Sequence, residues 1–254
     1  DIPGVIFSTA GVFALIYAII EAGSKGWKNP EVVQLFIIAF ILLAIFTFIE
    51  SRSKEPMMPL YLFKNLSFSG ASIALAMVMF SLAGSMFFVS QYMQTILGYD
   101  TLTAGLGTLP VAGGLIAIAP LSAPISKRIG IKFTVALGIG IAALALFYMG
   151  SVYKIDTPYI TIAIGQVMLA AGMGLAMAPA TNSIMSAIPA NKSGIGSAMN
   201  DTTRELGTAL GVAVLGTFMN NIYISGVQGS LKLIPGIPKE LIEGISSSIQ
   251  AAHA

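Results

Sequence analysis

The sequence predicts an all-α, polytopic membrane protein of seven transmembrane helices, and three observations carry that prediction. Hydrophobic residues make up 56% of the 254 and charged residues only 9%, against about 25% charged in an ordinary soluble domain, so the chain lacks the charge to clothe a water-facing surface. The ionised residues are also segregated, leaving seven long intervals without Asp, Glu, Lys or Arg. One such residue at the centre of a spanning helix costs roughly 2.5–3.5 kcal/mol on insertion, which makes charge-free length the sharpest signal of a span. Finally, Ala, Leu, Met and Ile dominate the intervals, and the period-two alternation of a membrane barrel is missing.

In order, the intervals are residues 2–20, 32–49, 65–99, 101–126, 133–153, 157–191 and 206–231, each able to hold the roughly 17–25 residues that a bilayer core demands. The third carries Ser81, Ser85, Gln91 and Gln94, and the sixth carries Gln166, Asn182 and Ser183 around Gly172, Gly174 and Pro179. Polar side chains at such depth need a bundle-interior or cavity position, and Gln91, Gln94, Gln166 and Asn182 are the candidates for a cavity lining. Interhelical hydrogen bonding is the competing account of each. The fourth interval holds Pro110, Pro120 and Pro124 among Gly105, Gly107, Gly113 and Gly114. Each proline removes a helix hydrogen bond and bends the axis, so this span is expected to be either a hinge or a fixed kink. After the seventh interval, Pro235 and Pro238 precede an amphipathic stretch with Leu241, Ile242, Ile245 and Ile249 on one side, which reads as an external loop or interfacial helix.

Thirteen Lys and Arg against eleven Asp and Glu leave a net charge of +2 and no basic patch, which excludes a nucleic-acid partner. There is no Cys, and the single histidine is His253. Thiolate or zinc sites have no ligands, no catalytic constellation or phosphate loop appears, and neither enzymatic activity nor a metal or cofactor is expected. Asp1 stands where an initiator methionine would, without a leader before the first apolar run, so the chain reads as part of something longer. Alternate connections hold Arg52, Lys54, Lys64, Lys127, Arg128, Lys132, Lys192 and Arg204 on one side, and Lys25, Lys28, Lys154, Lys232 and Lys239 on the other. The richer set is placed in the cytoplasm.

The stretch FIESRSKEPMMPLYLFKNLSFSGA, residues 48–71, resembles the fourteen-helix drug:proton antiporters of the major facilitator superfamily, in which a similar sequence joins the eighth and ninth helices. Glu50, Arg52, Pro56, Pro59, Leu60, Leu62 and Phe63 carry the likeness. Residues 1–27, with Asp1, Gly4, Tyr17, Glu21, Gly26 and Trp27, resemble that family's seventh helix. LGYDTLTAGLGTLPVAGG and APLSAPISKRIGIK resemble its tenth helix and the loop after it, and DTTRELGTALGVAVLGT resembles its thirteenth. The resemblance implies that residues 1–64 are two inserted linker helices with a cytoplasmic connection, that 65–224 are five helices of the carboxyl-terminal bundle, and that 225–254 form an external loop before a missing last helix. It also implies a missing amino-terminal six-helix half, with substrate held between two lobes that expose it alternately to each side. The expected activity is proton-coupled efflux of amphipathic or cationic drugs from a multi-pass protein of the cell membrane. The expected partners are the lipid bilayer, protons and a small hydrophobic or cationic substrate. Export of an endogenous metabolite, lipid precursor or siderophore by the same fold stays open, as does a nontransporting membrane scaffold.

The loop SKRIGIK, residues 126–132, looks like a degenerate form of the superfamily's cytoplasmic Gly-x-Leu-Ala-Asp-Arg-x-Gly-Arg-Arg signature. Arg128, Gly130 and Lys132 match, whereas Ala123 and Lys127 stand where the pattern has glycine and aspartate. Lysine cannot accept the hydrogen bonds that carboxylate receives, so a conformational latch here must differ, or the loop is simply a positive turn that fixes topology.

Residues 200–218, NDTTRELGTALGVAVLGTF, pose the sharpest question, because Asp201, Arg204 and Glu205 stand together at the head of an apolar run. At 100° per residue they fall with Thr208 in a sector of about 100°, beside a small-xxx-small groove of Gly207 and Gly211, so charge and close packing are expected to share one side of the helix. In one reading Thr202-x-x-Glu205 is a capping box, the helix starts near Thr203, and the charges lie at the wet interface. In another the helix starts near Gly194 and the acids sit deeper, either as a structural ion pair with Arg204 or facing an inner vestibule. There a carboxylate exchanges a proton at working pH and holds a cation when deprotonated.

Overall fold

The computed structural model describes residues 2–53, 56, 58–189 and 193–231, with side chains described as far as Ile222. Of the tail expected as a loop at 225–254, residues 225–231 instead continue a helix, because the apolar run reaches Leu231, and residues 232–254 lie outside the described residues. Nine α-helices make up the described fold: α1 (Ile2–Lys25), α2 (Pro30–Arg52), α3 (Leu66–Gln91), α4 (Thr101–Leu106), α5 (Leu109–Ile118), α6 (Ser122–Ile129), α7 (Ile131–Val152), α8 (Tyr159–Ser186) and α9 (Ser193–Leu231). No strand occurs among the described residues. Six helical stretches there are long and apolar enough to cross a membrane: Ile2–Lys25, Pro30–Arg52, Leu66–Ile96, Thr101–Ile129, Ile131–Val152 and Tyr159–Ser186. The seventh predicted interval, 206–231, is helical throughout within α9, which is not one of those six. The protein is an all-α, multi-pass membrane protein.

The chain divides into two compact units, Asp1–Arg52 with Val212–Ala254, and Ser53–Gly211. In the first, α1 and α2 form an antiparallel hairpin. The turn is made by Gly26, whose φ of 87° lies where side chains are strained. Asn29 accepts from the Glu31 N–H at 2.9 Å, and Pro30 opens α2 where its missing N–H is harmless. Lys25 Nζ lies 2.8 Å from Glu21 and 2.7 Å from Glu31, tying the helix ends together. Deeper in, a methyl at Gly11 would come within 2.8 Å of Leu43, so the glycine sets how closely the helices approach. Thr217, in the last part of α9, donates to the Ile19 carbonyl at 2.9 Å, and Asn220 donates to that of Gly23 at 3.3 Å.

The second unit is organised around α8. Its buried residues run from Ile162 through Leu169, Met173, Ala176 and Ala180 to Ile184 and occupy more than one face, the pattern of a helix enclosed by neighbours. Small residues make the enclosure possible. Gly138 of α7 and Gly172 of α8 face one another so closely that a methyl on either would lie 2.5 Å from the other's carbonyl oxygen, and a methyl at Gly114 of α5 would lie 2.8 Å from Ala170 Cβ. Helix α3 is capped by Asn65, which accepts from the Ser67 N–H at 2.9 Å. Beyond Gln91, α3 continues as a π turn, Tyr92–Ile96. There Tyr92 donates to the Lys154 carbonyl and stacks on Tyr153 with centroids 5.3 Å apart.

The proline-rich fourth interval is a chain of short segments rather than one bent helix. Pro110 sits in the first turn of α5, where proline is tolerated. Pro120 lies in a 3-10 turn, Ala119–Leu121, between α5 and α6. The break at Pro120 matches the lost hydrogen bond, whereas Pro110 begins a segment instead of bending one. Gly130 closes α6 and opens α7 with φ 88°, a conformation that explains the glycine in the basic loop irrespective of any latch.

Candidate functional site

The candidate site residues occupy three places in the second unit. At the end of α3, Gln91 and Gln94 are half-buried; Gln94 donates to Ser90 Oγ at 2.9 Å, and the Gln91 carbonyl accepts from Thr95 at 2.6 Å. These bonds are local, within four residues, and neither glutamine is tied to another helix by them.

On α8, Gln166 is 1% exposed, and neither its Nε2 nor its Oε1 has a hydrogen-bond partner. Asn182 is exposed, and its carbonyl accepts from Ser186. Sixteen residues separate the two. At 100° and 1.5 Å per residue they point about 160° apart and stand about 24 Å apart along the helix. The structure therefore does not bring these two predicted cavity residues together: Gln166 is enclosed in the bundle and Asn182 is on the outside near the opposite end.

The third place is α9, which begins at Ser193. Asp201 and Glu205 then lie about 12 and 18 Å along it, so Thr202-x-x-Glu205 is not a capping box. The early start has a packing cause. Gly196 lets α9 settle on the end of α8, where a methyl would lie 3.0 Å from Met185 Sδ and 3.1 Å from Ile188 Cδ1. Further along, methyls at Gly207 and Gly211 would drive into the carbonyl oxygens of Ala76 and Phe80 on α3, lying 2.9 and 2.8 Å from their Cα atoms. The small-xxx-small groove is thus the seat of α3. With Gly207 and Gly211 facing inward, Asp201 and Glu205 are turned out and exposed, and Arg204 is half-buried between, so the two acids do not share the packed side as the sequence led one to expect. Among the described residues neither acid forms an ion pair with Arg204; the ion pairs there are those of Lys25.

Asn200 was not singled out by the sequence reading. It is 7% exposed, donates from Nδ2 to Asp201 Oδ1 at 3.4 Å, and leaves its own Oδ1 buried without a partner. Its place beside Asp201 was visible in the sequence, but its burial follows from the α9 stripe that also carries Gly196, Gly207 and Gly211. Of the basic loop, Lys127 and Arg128 occupy the exposed last turn of α6, and Lys132 the exposed first turn of α7.

Comparison with known proteins agrees with this architecture. The family model described as Major Facilitator Superfamily matches residues 2–212. The tetracenomycin C resistance and export protein of Streptomyces glaucescens is 30% identical over 219 residues, covering 86% of this chain and 40% of that protein. The multidrug resistance protein Stp of Mycobacterium tuberculosis is 28% identical with the same coverage. The multidrug efflux pump LfrA of Mycolicibacterium smegmatis is 29% identical over 262 residues, covering 100% of this chain and 51% of that pump. The chain thus spans about 40 to 51% of the length of these relatives. With the family model matched across residues 2–212, a stretch that holds the six long apolar helices, the chain belongs to the Major Facilitator Superfamily.

Proposed function

We propose that the protein carrying this chain is a proton-coupled exporter of amphipathic, often cationic, organic molecules that works by alternating access. This chain contributes two inserted helices and most of the second lobe. The drug reading is supported by relatives whose names denote resistance, export and multidrug efflux. One observation carries the coupling part: Asp201 and Glu205 lie well inside α9, exposed on the side away from its packing groove, and without an ion pair to Arg204 among the described residues. Closure of the second lobe would withdraw the space in front of them from water, and a carboxylate desolvated in that way takes a proton in place of a cation. Asn200, hydrogen-bonded to Asp201, orients that carboxylate. Gln166, buried and unpartnered, is a carboxamide that acquires a partner in another state or from cargo.

The test is efflux of an organic-cation dye from proteoliposomes containing the full-length protein under an imposed proton gradient. Gradient-dependent efflux is expected, with proton release on dye addition that falls at least tenfold in Asp201→Asn or Glu205→Gln. Efflux that ignores the gradient, or no dye efflux with loss of one endogenous metabolite's export from cells, overturns the drug–proton reading. Wild-type coupling in both variants removes these acids from the mechanism.

A further inference from the structure

Between the starts of α3 and α7 and the end of α8 lies a groove of about 550 Å3, within the roughly 300–1,000 Å3 of small-molecule sites. Gly70, Ala71, Val135 and Ile139 form its apolar wall, and Lys132, Ser67 and Ser183 stand at its mouth. It extends about 12 Å along α7, from Ile131 to Ile139. A methyl at Gly70 would meet nothing within 4 Å, so the wall is open at that point. Leu66, an apolar residue 87% exposed, also lines it.

The charge around the groove is one-sided. Lys132 is its single ionised lining residue, and the three helices that build it contain no Asp or Glu. Among the described residues no carboxylate pairs with Lys132, which leans over the Phe133 ring at 5.9 Å. Lys64 immediately precedes the cap of α3, and Lys127 and Arg128 lie in the last turn of α6, with Ile129 and Gly130 between them and α7, all three exposed. Ser183 donates to the Ser67 carbonyl at 3.4 Å, which ties the mouth of the groove across α3 and α8.

An apolar slot running into the bilayer from a cationic mouth fits one class of molecule present in the surrounding membrane. We propose that this groove holds an anionic glycerophospholipid, with one acyl chain against Gly70, Val135 and Ile139 and the phosphate at Lys132. Basic pockets between membrane helices at the headgroup level bind anionic lipids in this way. Occupancy would fasten α7 to α3 at the end of the unit where Gly130 joins α6 to α7. The inference depends on the membrane placement of these helices and not on the exported cargo.

Native mass spectrometry of the full-length protein in detergent tests it, with added phosphatidylglycerol, phosphatidylcholine of the same acyl chains, and inorganic phosphate. Phosphatidylglycerol is expected to be retained about fivefold over phosphatidylcholine, the ratio for one lysine–headgroup contact. Lys132→Gln brings that ratio to about one, and Gly70→Leu, whose Cβ would meet nothing within 4 Å, lowers retention of both lipids. Equal retention of the two lipids by the wild type overturns the proposal without recourse to variants. A wild-type ratio in Lys132→Gln overturns it as well, as does wild-type retention of both lipids in Gly70→Leu, and so does displacement of phosphatidylglycerol by equimolar inorganic phosphate, which marks a free-phosphate site.

Discussion

Alanine at Gly172 tests whether two facing glycines hold α7 and α8 together. In an ordinary helix interior the change favours folding by about 1 kcal/mol, because glycine has more backbone entropy to lose. Here the new methyl would lie 2.5 Å from the Ala142 nitrogen and 2.5 Å from the Gly138 oxygen, about 0.9 Å inside the 3.4 Å at which ordinary contact begins. Both obstructing atoms are backbone, so neither can swing aside and the helices must part. A gap of 0.5–1 Å forfeits roughly a quarter to a half of each dispersion contact across the interface, and overpacking of this kind costs about 1–3 kcal/mol. With two backbone clashes the upper end applies, leaving a net loss of about 2 kcal/mol after the propensity gain. Gly140→Ala on α7 is the matched control, since nothing lies within 4 Å of its methyl, and it should gain up to about 1 kcal/mol. At about 2–4 °C per kcal/mol, the thermal midpoint of detergent-solubilised protein should fall by about 4–8 °C for Gly172→Ala and rise by about 2–4 °C for Gly140→Ala. A midpoint for Gly172→Ala at or above wild type would refute the close-approach argument.

Gln166→Leu should stabilise the protein, because it replaces a buried, unpartnered carboxamide with an apolar group of similar size and relieves about 1–3 kcal/mol of uncompensated desolvation. If Gln166 also meets cargo or a partner in another state, the same variant loses transport as it gains thermal stability; lower stability would mean that the carboxamide is satisfied. Asp100 caps α4, and hydrogen bonds from Thr103 hold its carboxyl below the ordinary range. A depressed pKa contributes stability above the unfolded value near pH 4, lost as pH falls through the lower folded value. Amide exchange at Thr103 should therefore accelerate as pH drops below about 4 relative to model-peptide rates. Asp100→Asn, which keeps an acceptor but cannot titrate, should abolish that pH dependence, and an unchanged profile in the variant would rule out the capping carboxylate as its source.

Spans were legible because insertion energetics act on each segment separately: the charge cost that ends an apolar interval at Glu21 or Glu50 needs no knowledge of neighbours. Packing cannot be read that way. Pro110 and Pro120 carry the same local defect, yet one starts a segment and the other lies in a 3-10 turn, since segment boundaries depend on which surrounding helices supply partners. Thr202-x-x-Glu205 satisfied a local capping rule and was overruled by Gly196 docking on Met185 and Ile188, which extends α9 back to Ser193. The separation of Gln166 from Asn182, by contrast, was available from helix arithmetic alone.

The same contrast explains why ionised groups persist at the head of an apolar run. Once Gly196, Gly207 and Gly211 commit one side of α9 to its neighbours, helical periodicity leaves Asp201 and Glu205 no place in that interface, and they must face outward. Charge and close packing coexist on this helix because they occupy different sides of it. Converting the groove and converting the acids should therefore fail differently: a bulky residue at Gly207 loosens α9 from α3 and lowers thermal stability, whereas Glu205→Gln leaves that packing intact and changes only what the outward side can bind.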